Sequence, residues 1–194
     1  MKTITNFSVL VTLIGFIYPF FGDDKVQFSG WQIGFLVALS LILVIMIIRD
    51  LANRPKVYKT STEINEYMYN WINHPGRTLI FTRDMSWAHG NRIEKLLEEK
   101  AKKKELILCM PNKTPQADRL QNYGAEIVEY SKLKYKPRSR FTMIRYGKTD
   151  TKMAIGIRDD KGRQHIEEVQ NGIHTEYHLA EDFFEVLKEI NYNE

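Results

Sequence analysis

The sequence predicts an α/β protein in which two N-terminal transmembrane helices precede a mixed sheet flanked by helices. The first observation is that residues 4–21 and 31–48 are each 18 residues long and carry no charge. The second is that strand-like and helix-like segments alternate through the rest of the chain. We therefore expect a two-helix hairpin in residues 1–50, a linker in residues 51–56 and a cytoplasmic α/β domain in residues 57–194.

Both uncharged stretches are long enough to cross a membrane as helices, because 18 residues rise about 27 Å against a hydrocarbon core of ~30 Å. A signal peptide at the first stretch and a buried helical pair are the alternatives. Arg49, Arg54 and Lys56 follow the second stretch, whereas the connecting loop holds one lysine and two aspartates. This bias predicts a multi-pass membrane protein, in contact with lipids, whose connecting loop lies outside and whose termini both lie in the cytoplasm.

Small residues recur at four-residue spacing at the start of the second stretch, at Gly30, Gly34 and Ala38. Such spacing lets helix backbones approach one another closely in lipid. The ridge is expected to pack either within the hairpin or between copies in a homo-oligomer.

The second part of the chain reads as strands that alternate with helices through short loops. Thr60 and Glu63 have the spacing of a capping box and predict the start of its first helix. The sequence predicts helices over residues 60–73, 89–104, 116–123 and 178–190, and strands over residues 77–82, 105–110, 126–130, 140–146, 152–158 and 163–169.

Several strings in residues 61–190, namely RTLIFTRDMSW, IEKLLEEKAKKKELILCMPN, GAEIVEY and RFTMIRYG, resemble a phospholipase D-like domain. The resemblance implies a mixed α/β sheet and, in active members, two copies of the motif His-x-Lys-x-x-x-x-Asp. In this sequence Thr142, Ile144 and Thr149 stand at the three motif positions, and the chain holds one domain copy. Threonine cannot replace a histidine nucleophile and isoleucine cannot bind an anion, so we expect no phosphodiesterase activity and no catalytic residue.

Other catalytic and metal-binding patterns are weak. His165, His174 and His178 lie near one another in sequence, yet they do not form a metal-binding pair within one helix. Ser86 and His89 lack the strained Gly-x-Ser-x-Gly turn that would activate a serine. We therefore expect no metal and no cofactor.

The strongest polar feature is a segment in which basic residues recur at every second position. The chain has a net charge of +4, and 23 of its 28 basic and 21 of its 24 acidic residues lie after residue 56. Because the charges of this part of the chain nearly balance, a basic surface requires local clustering of basic residues. In an extended conformation all the charges of the segment would project to one side. That side would bind a nucleic acid or nucleotide, or anionic lipid headgroups. The third alternative is a solvated loop without a binding partner. The residues are Lys132, Lys134, Tyr135, Lys136, Arg138 and Arg140.

A second candidate surface follows the first strand of the domain. Arg83, Asp84 and Trp87 come directly after its carboxyl end. Open α/β sheets place ligand crevices at this edge. These three residues therefore predict a ligand crevice.

The combination of a two-span hairpin with a non-catalytic domain resembles the two-transmembrane effectors of bacterial anti-phage systems, particularly those of retrons. That resemblance implies a toxin located in the bacterial inner membrane, whose helices oligomerise and permeabilise that membrane. It also implies a reverse transcriptase and its RNA–DNA product as partners. Two alternatives stay open. One is a membrane-tethered phospholipase D-family phosphodiesterase or nuclease, and the other is a nucleotide second-messenger sensor.

Overall fold

The structure, a computed structural model, describes residues 29–52, 55–131, 133 and 137–192. The chain divides into two compact units, Met1–Arg54 and Pro55–Glu194. In the first unit the structure describes one helix, α1 (Gly30–Ala52), of 23 residues. Many of its large apolar side chains are exposed, among them Trp31 and Phe35.

Within the described ranges, no helix is long and apolar enough to cross a membrane. We therefore correct the predictions of two transmembrane helices and of a multi-pass location in the inner membrane. The prediction for the second span relied on the lack of charge in residues 31–48, whereas α1 continues to Ala52 and includes Arg49 and Asp50. The first predicted span, residues 4–21, lies outside the described residues.

The small residues predicted to pack between helices lie on α1. A Cβ built at Gly30 or at Gly34 meets no described atom within 4 Å, and Ala38 is exposed. The structure therefore shows no packing contact for the two glycines within the described residues, and a role for this ridge between copies stays a prediction.

Seven strands form one mixed sheet in the second unit. They are β1 (Lys56–Tyr58), β2 (Thr78–Phe81), β3 (Leu106–Met110), β4 (Glu126–Glu129), β5 (Arg140–Ile144), β6 (Lys152–Arg158) and β7 (Gln164–Gln170). Their order across the sheet is β1-β7-β6-β5-β2-β3-β4. Strands β2, β3 and β4 are parallel, and the remaining neighbours pair antiparallel.

Among the described residues of this unit, four helices cover the sheet: α2 (Ser61–Ile72), α3 (Asn91–Lys102), α4 (Pro115–Asn122) and α5 (Thr175–Tyr192). Buried residues of α2, α3 and α4 form one apolar cluster with Ile80. Buried residues of α5 form a second cluster with Leu79 and Phe81. Because side chains alternate along a strand, β2 divides the core into an α2 side and an α5 side.

The capping box predicted at the start of α2 is confirmed. The Thr60 hydroxyl accepts from the Glu63 backbone N–H at 3.2 Å, and the Glu63 carboxylate accepts from the Thr60 backbone N–H at 3.2 Å. The same carboxylate accepts from the Lys59 backbone N–H at 2.8 Å. The cap therefore also fixes the backbone at Lys59, between β1 and α2.

Strand β1 was not predicted. It is three residues long, lies at the sheet edge and pairs with β7, where Lys56 forms an ion pair with Glu168 at 3.0 Å. Such a short edge strand has too few residues to show an alternating pattern. Strand β1 nevertheless matters, because it places the following residue, Lys59, on the α2 side of the sheet.

Candidate functional site

A cavity of about 220 Å³ opens on the α2 side of the sheet, at the carboxyl end of β2. Its walls come from the β1–α2 junction, the segment after β2, the faces of β5 and β6, and the β6–β7 turn. Ligands of open α/β sheets bind beyond the carboxyl ends of parallel strands, and this cavity occupies that position. Its polar lining residues are Lys59, Ser61, Tyr67, Thr82, Ser86, Arg140, Thr142, Arg158 and Gln164.

The cavity is electropositive. Lys59, Arg140 and Arg158 line it, and among the described lining residues there is no aspartate or glutamate. The Arg140 guanidinium has no hydrogen bond or ion pair in the part of the chain that the structure describes. Burial, together with the neighbouring guanidinium groups of Arg83 and Arg158, lowers the pKa of Arg140 below its usual value, against the opposing effect of Asp84. Since a guanidinium keeps its proton in proteins, Arg140 presents a positive charge to the cavity that the nearby Asp84 offsets only in part.

A buried hydroxyl without a partner also lines the cavity. Thr82 follows β2, is 2% exposed and donates its backbone N–H to the Cys109 carbonyl at 3.0 Å. Its side-chain Oγ1 finds no hydrogen-bond partner among the described residues. Buried polar atoms in folded proteins nearly always have a partner. The orphan hydroxyl of Thr82 is therefore a polar group in the cavity wall that is available to a ligand.

The segment after β2 is held in a specific conformation. Met85 is buried and has a φ of 53°, which costs energy for a residue with a Cβ. The Asp84 carboxylate accepts from the Ser86 backbone N–H at 3.1 Å, and the Asn65 side chain donates to the Trp87 carbonyl at 2.8 Å. Strained backbone of this kind is concentrated at functional sites. These contacts fix the position of Trp87 in the cavity wall.

Four aromatic residues line the cavity, namely Tyr67, Phe81, Trp87 and Phe141, and Phe81 stacks on Phe141 with ring centroids 4.9 Å apart. Tyr67 stacks on Trp71 with ring centroids 5.9 Å apart and lies 5.1 Å from the Tyr58 ring. Within the described ranges, no other aromatic ring packs against Trp87, which also lines the cavity. Trp87 is half-buried, and it packs against the apolar cluster of α2, α3 and α4 as well as lining the cavity.

The structure brings together only some of the predicted site residues. Arg140 and Trp87 line the cavity. Arg83 and Asp84 form an ion pair at 3.3 Å and lie close enough to shift the pKa of Arg140, although they do not line the cavity. Arg138 is exposed and is not part of the lining. The other residues of the basic segment lie outside the described residues: Lys132, Lys134, Tyr135 and Lys136.

The positions aligned with the phospholipase D motif do not converge. Thr142 lines the cavity, but Ile144 is 2% exposed in an apolar cluster with Trp71, and Thr149 is exposed in the turn after β5. Across the described residues there is no group of three His, Cys, Asp or Glu side chains that could hold a metal ion. The side chains that line the cavity instead provide cations, hydroxyls, an amide and an indole.

Sequence reasoning missed Lys59, Thr82, Arg158 and Gln164, which all line the cavity. Arg158 pairs with Gln164 across β6 and β7, and Arg140 pairs with Gly156 across β5 and β6. Alternation along β5 and β6 would have placed Arg140 and Arg158 on one face, provided that the strand register was known. Nothing in the sequence gives that register.

No protein-family model matches the chain, and no curated protein or solved structure is significantly similar to it. The resemblance to a phospholipase D-like domain therefore depends on the local strings alone and stays a prediction.

Proposed function

We propose that this protein binds a small ligand with a phosphate group in the cavity at the carboxyl end of β2, and that it binds this ligand without transforming it. The observation that carries the proposal is the convergence of three cations and one orphan hydroxyl in a cavity without a carboxylate among its described lining residues. The ligand would serve as a signal that the domain senses.

The donor set suits a phosphate better than other anions. Guanidinium groups match phosphate oxygens with two parallel hydrogen bonds, and an ammonium adds a point charge. The Thr82 hydroxyl would donate to a third oxygen and so gain the partner that it lacks. Arg140, which lies among other positive charges, would gain a compensating negative charge.

The same lining supports binding rather than turnover. Among the described lining residues there is no histidine, cysteine or carboxylate that would act as nucleophile or general base. The hydroxyls of Ser86 and Thr142 line the cavity without an adjacent base. A phosphodiesterase of the phospholipase D family is the competing class, and it requires a histidine where Thr142 stands.

The role in anti-phage defence and the partnership with a reverse transcriptase and its RNA–DNA product stay predictions. A phosphate-binding cavity suits either a nucleotide signal or the end of a nucleic acid. Membrane permeabilisation is not part of the proposal, because the spans on which it depended are not supported.

Calorimetric titration of the full chain tests the proposal. We expect saturable binding of pyrophosphate and of phosphate monoesters, and no binding of succinate at the same concentrations. Arg140→Gln should weaken binding at least about 10-fold, since it removes a charged hydrogen bond. Arg77→Gln is the matched control, because Arg77 forms an exposed ion pair with Glu126 and does not line the cavity.

The proposal is wrong if no phosphate compound binds, or if both arginine variants lose affinity equally. Incubation with the phosphodiester bis(p-nitrophenyl) phosphate tests the second half of the proposal. No nitrophenol should appear. Release that requires the intact protein and disappears in Ser86→Ala would show that the site is catalytic.

A further inference from the structure

Gly156 has a structural role that its backbone conformation does not explain. It lies within β6, where glycine weakens a strand, and its φ is not in the positive range that favours glycine. A Cβ at this position would collide with the side-chain amide nitrogen of Gln164. The absence of a side chain at Gly156 therefore makes room for the Gln164 amide at the floor of the cavity.

The Gln164 amide is free to bind a ligand. Gln164 begins β7, is half-buried and lines the cavity together with Gly156. In the described part of the chain, no hydrogen bond involves its side chain. An amide offers a donor and an acceptor side by side, which matches the edge of a nucleobase and in particular the N6 and N7 atoms of adenine.

The size of the cavity limits the ligand. A volume of about 220 Å³ is below the ~300–1,000 Å³ that drug-sized ligands fill. One nucleotide unit, partly exposed at the mouth, suits this volume, whereas a complete dinucleotide does not. The indole of Trp87, which is half-buried in the cavity wall, provides an aromatic surface for a base.

From these observations we infer that the ligand is a nucleoside phosphate. Its phosphate lies between Arg140 and Arg158, its base stacks on Trp87, and the Gln164 amide reads the base edge with a preference for adenine. This inference extends the proposed function, because it names the ligand class of the same cavity. No bond is made or broken.

The test compares ligands that differ in the base alone. Adenosine 5′-monophosphate should bind the full chain about 10-fold more tightly than ribose 5-phosphate, which has the same phosphate and sugar. Gln164→Ala should remove that difference by lowering the affinity for adenosine 5′-monophosphate about 10-fold. Gln170→Ala is the matched control, because Gln170 is at the other end of β7 and does not line the cavity. Gly156→Ala should behave as Gln164→Ala does, since its methyl group displaces the amide.

The outcomes separate the two proposals. Equal affinity of the wild type for adenosine 5′-monophosphate and ribose 5-phosphate would overturn the inference and leave phosphate binding in place. A preference for the nucleotide that survives in Gln164→Ala would overturn the role of Gln164. If neither ligand binds the wild type, the inference and the proposed function both fail.

Discussion

Removal of the orphan hydroxyl of Thr82 should make the ligand-free protein more stable and the binding site weaker. Thr82 is 2% exposed and its Oγ1 has no partner among the described residues. Thr82→Val replaces the hydroxyl with a methyl group of almost the same shape. The variant therefore removes the cost of burying an unsatisfied polar atom without creating a cavity.

The size of both effects follows from the burial. An unsatisfied buried hydroxyl costs about 1–3 kcal/mol, so the free energy of unfolding should rise by about that amount. For a unit of this length the melting temperature should rise by about 3 °C for each kcal/mol. A hydrogen bond to a charged phosphate contributes about 1.5–3 kcal/mol, so its loss should weaken binding about 10- to 100-fold.

The chain provides an internal control for this experiment. Thr78 begins β2, the strand that Thr82 follows, is 0% exposed and has an orphan Oγ1 as well, yet it does not line the cavity. Thr78→Val should therefore stabilise the protein and leave ligand affinity unchanged. Urea unfolding and calorimetry on both variants give the two quantities. The reasoning is refuted if Thr82→Val destabilises the protein, or if Thr78→Val weakens binding as much as Thr82→Val does.

Three further predictions concern stability and reactivity. Two backbone N–H groups hold the pKa of the exposed Glu63 carboxyl below its usual value. The ionised carboxylate therefore stabilises the folded protein fully above the ordinary glutamate pKa, and this contribution is lost as the pH falls through the lowered pKa of the folded state. Glu63→Gln should lower the urea midpoint at neutral pH and match the wild type in acid. Lys100 is buried and donates to the carbonyls of His74 and Gly76 at 2.8 Å each. Lys100→Met should therefore lower the free energy of unfolding, measured in urea, by about 2–5 kcal/mol. An unchanged free energy of unfolding would show that these hydrogen bonds contribute nothing. Burial raises the pKa of the Cys109 thiol, so maleimide should label it only under unfolding conditions, and rapid labelling of the native protein would contradict its burial.

The secondary structure was predictable where local patterns dominate. The cap at Thr60 and Glu63 gave the start of α2, and the continuous apolar run of β3 gave a strand buried on both faces. Both signals depend on residues that are close in sequence, which is why they survive without knowledge of the fold. Strand β1 has only three residues and lacks such a signal.

The site was predictable only in part. Arg140 and Trp87 were identified from a charge cluster and from the position after a strand. Arg158 and Gln164 line the same cavity because of the register in which β5, β6 and β7 pair. That register depends on how the strands pair in the folded sheet. The membrane prediction relied on the lack of charge in residues 31–48 and is not supported, because no helix of the described ranges is long and apolar enough to cross a membrane.

The proposed function requires that cations from three separate segments of the chain bind the same phosphate group. The most direct measurement is calorimetric titration of adenosine 5′-monophosphate into four variants of the full chain that each lose one positive charge. Lys59→Gln, Arg140→Gln and Arg158→Gln change the cavity lining, whereas Lys161→Gln changes an exposed residue of the β6–β7 turn outside it.

All four variants have the same net charge, so diffuse attraction of the ligand falls equally in each of them. We expect the three lining variants to lose about 10-fold in affinity each, and Lys161→Gln to stay within about 2-fold of the wild type. Equal losses in all four variants, or no loss in Arg140→Gln, would contradict the account.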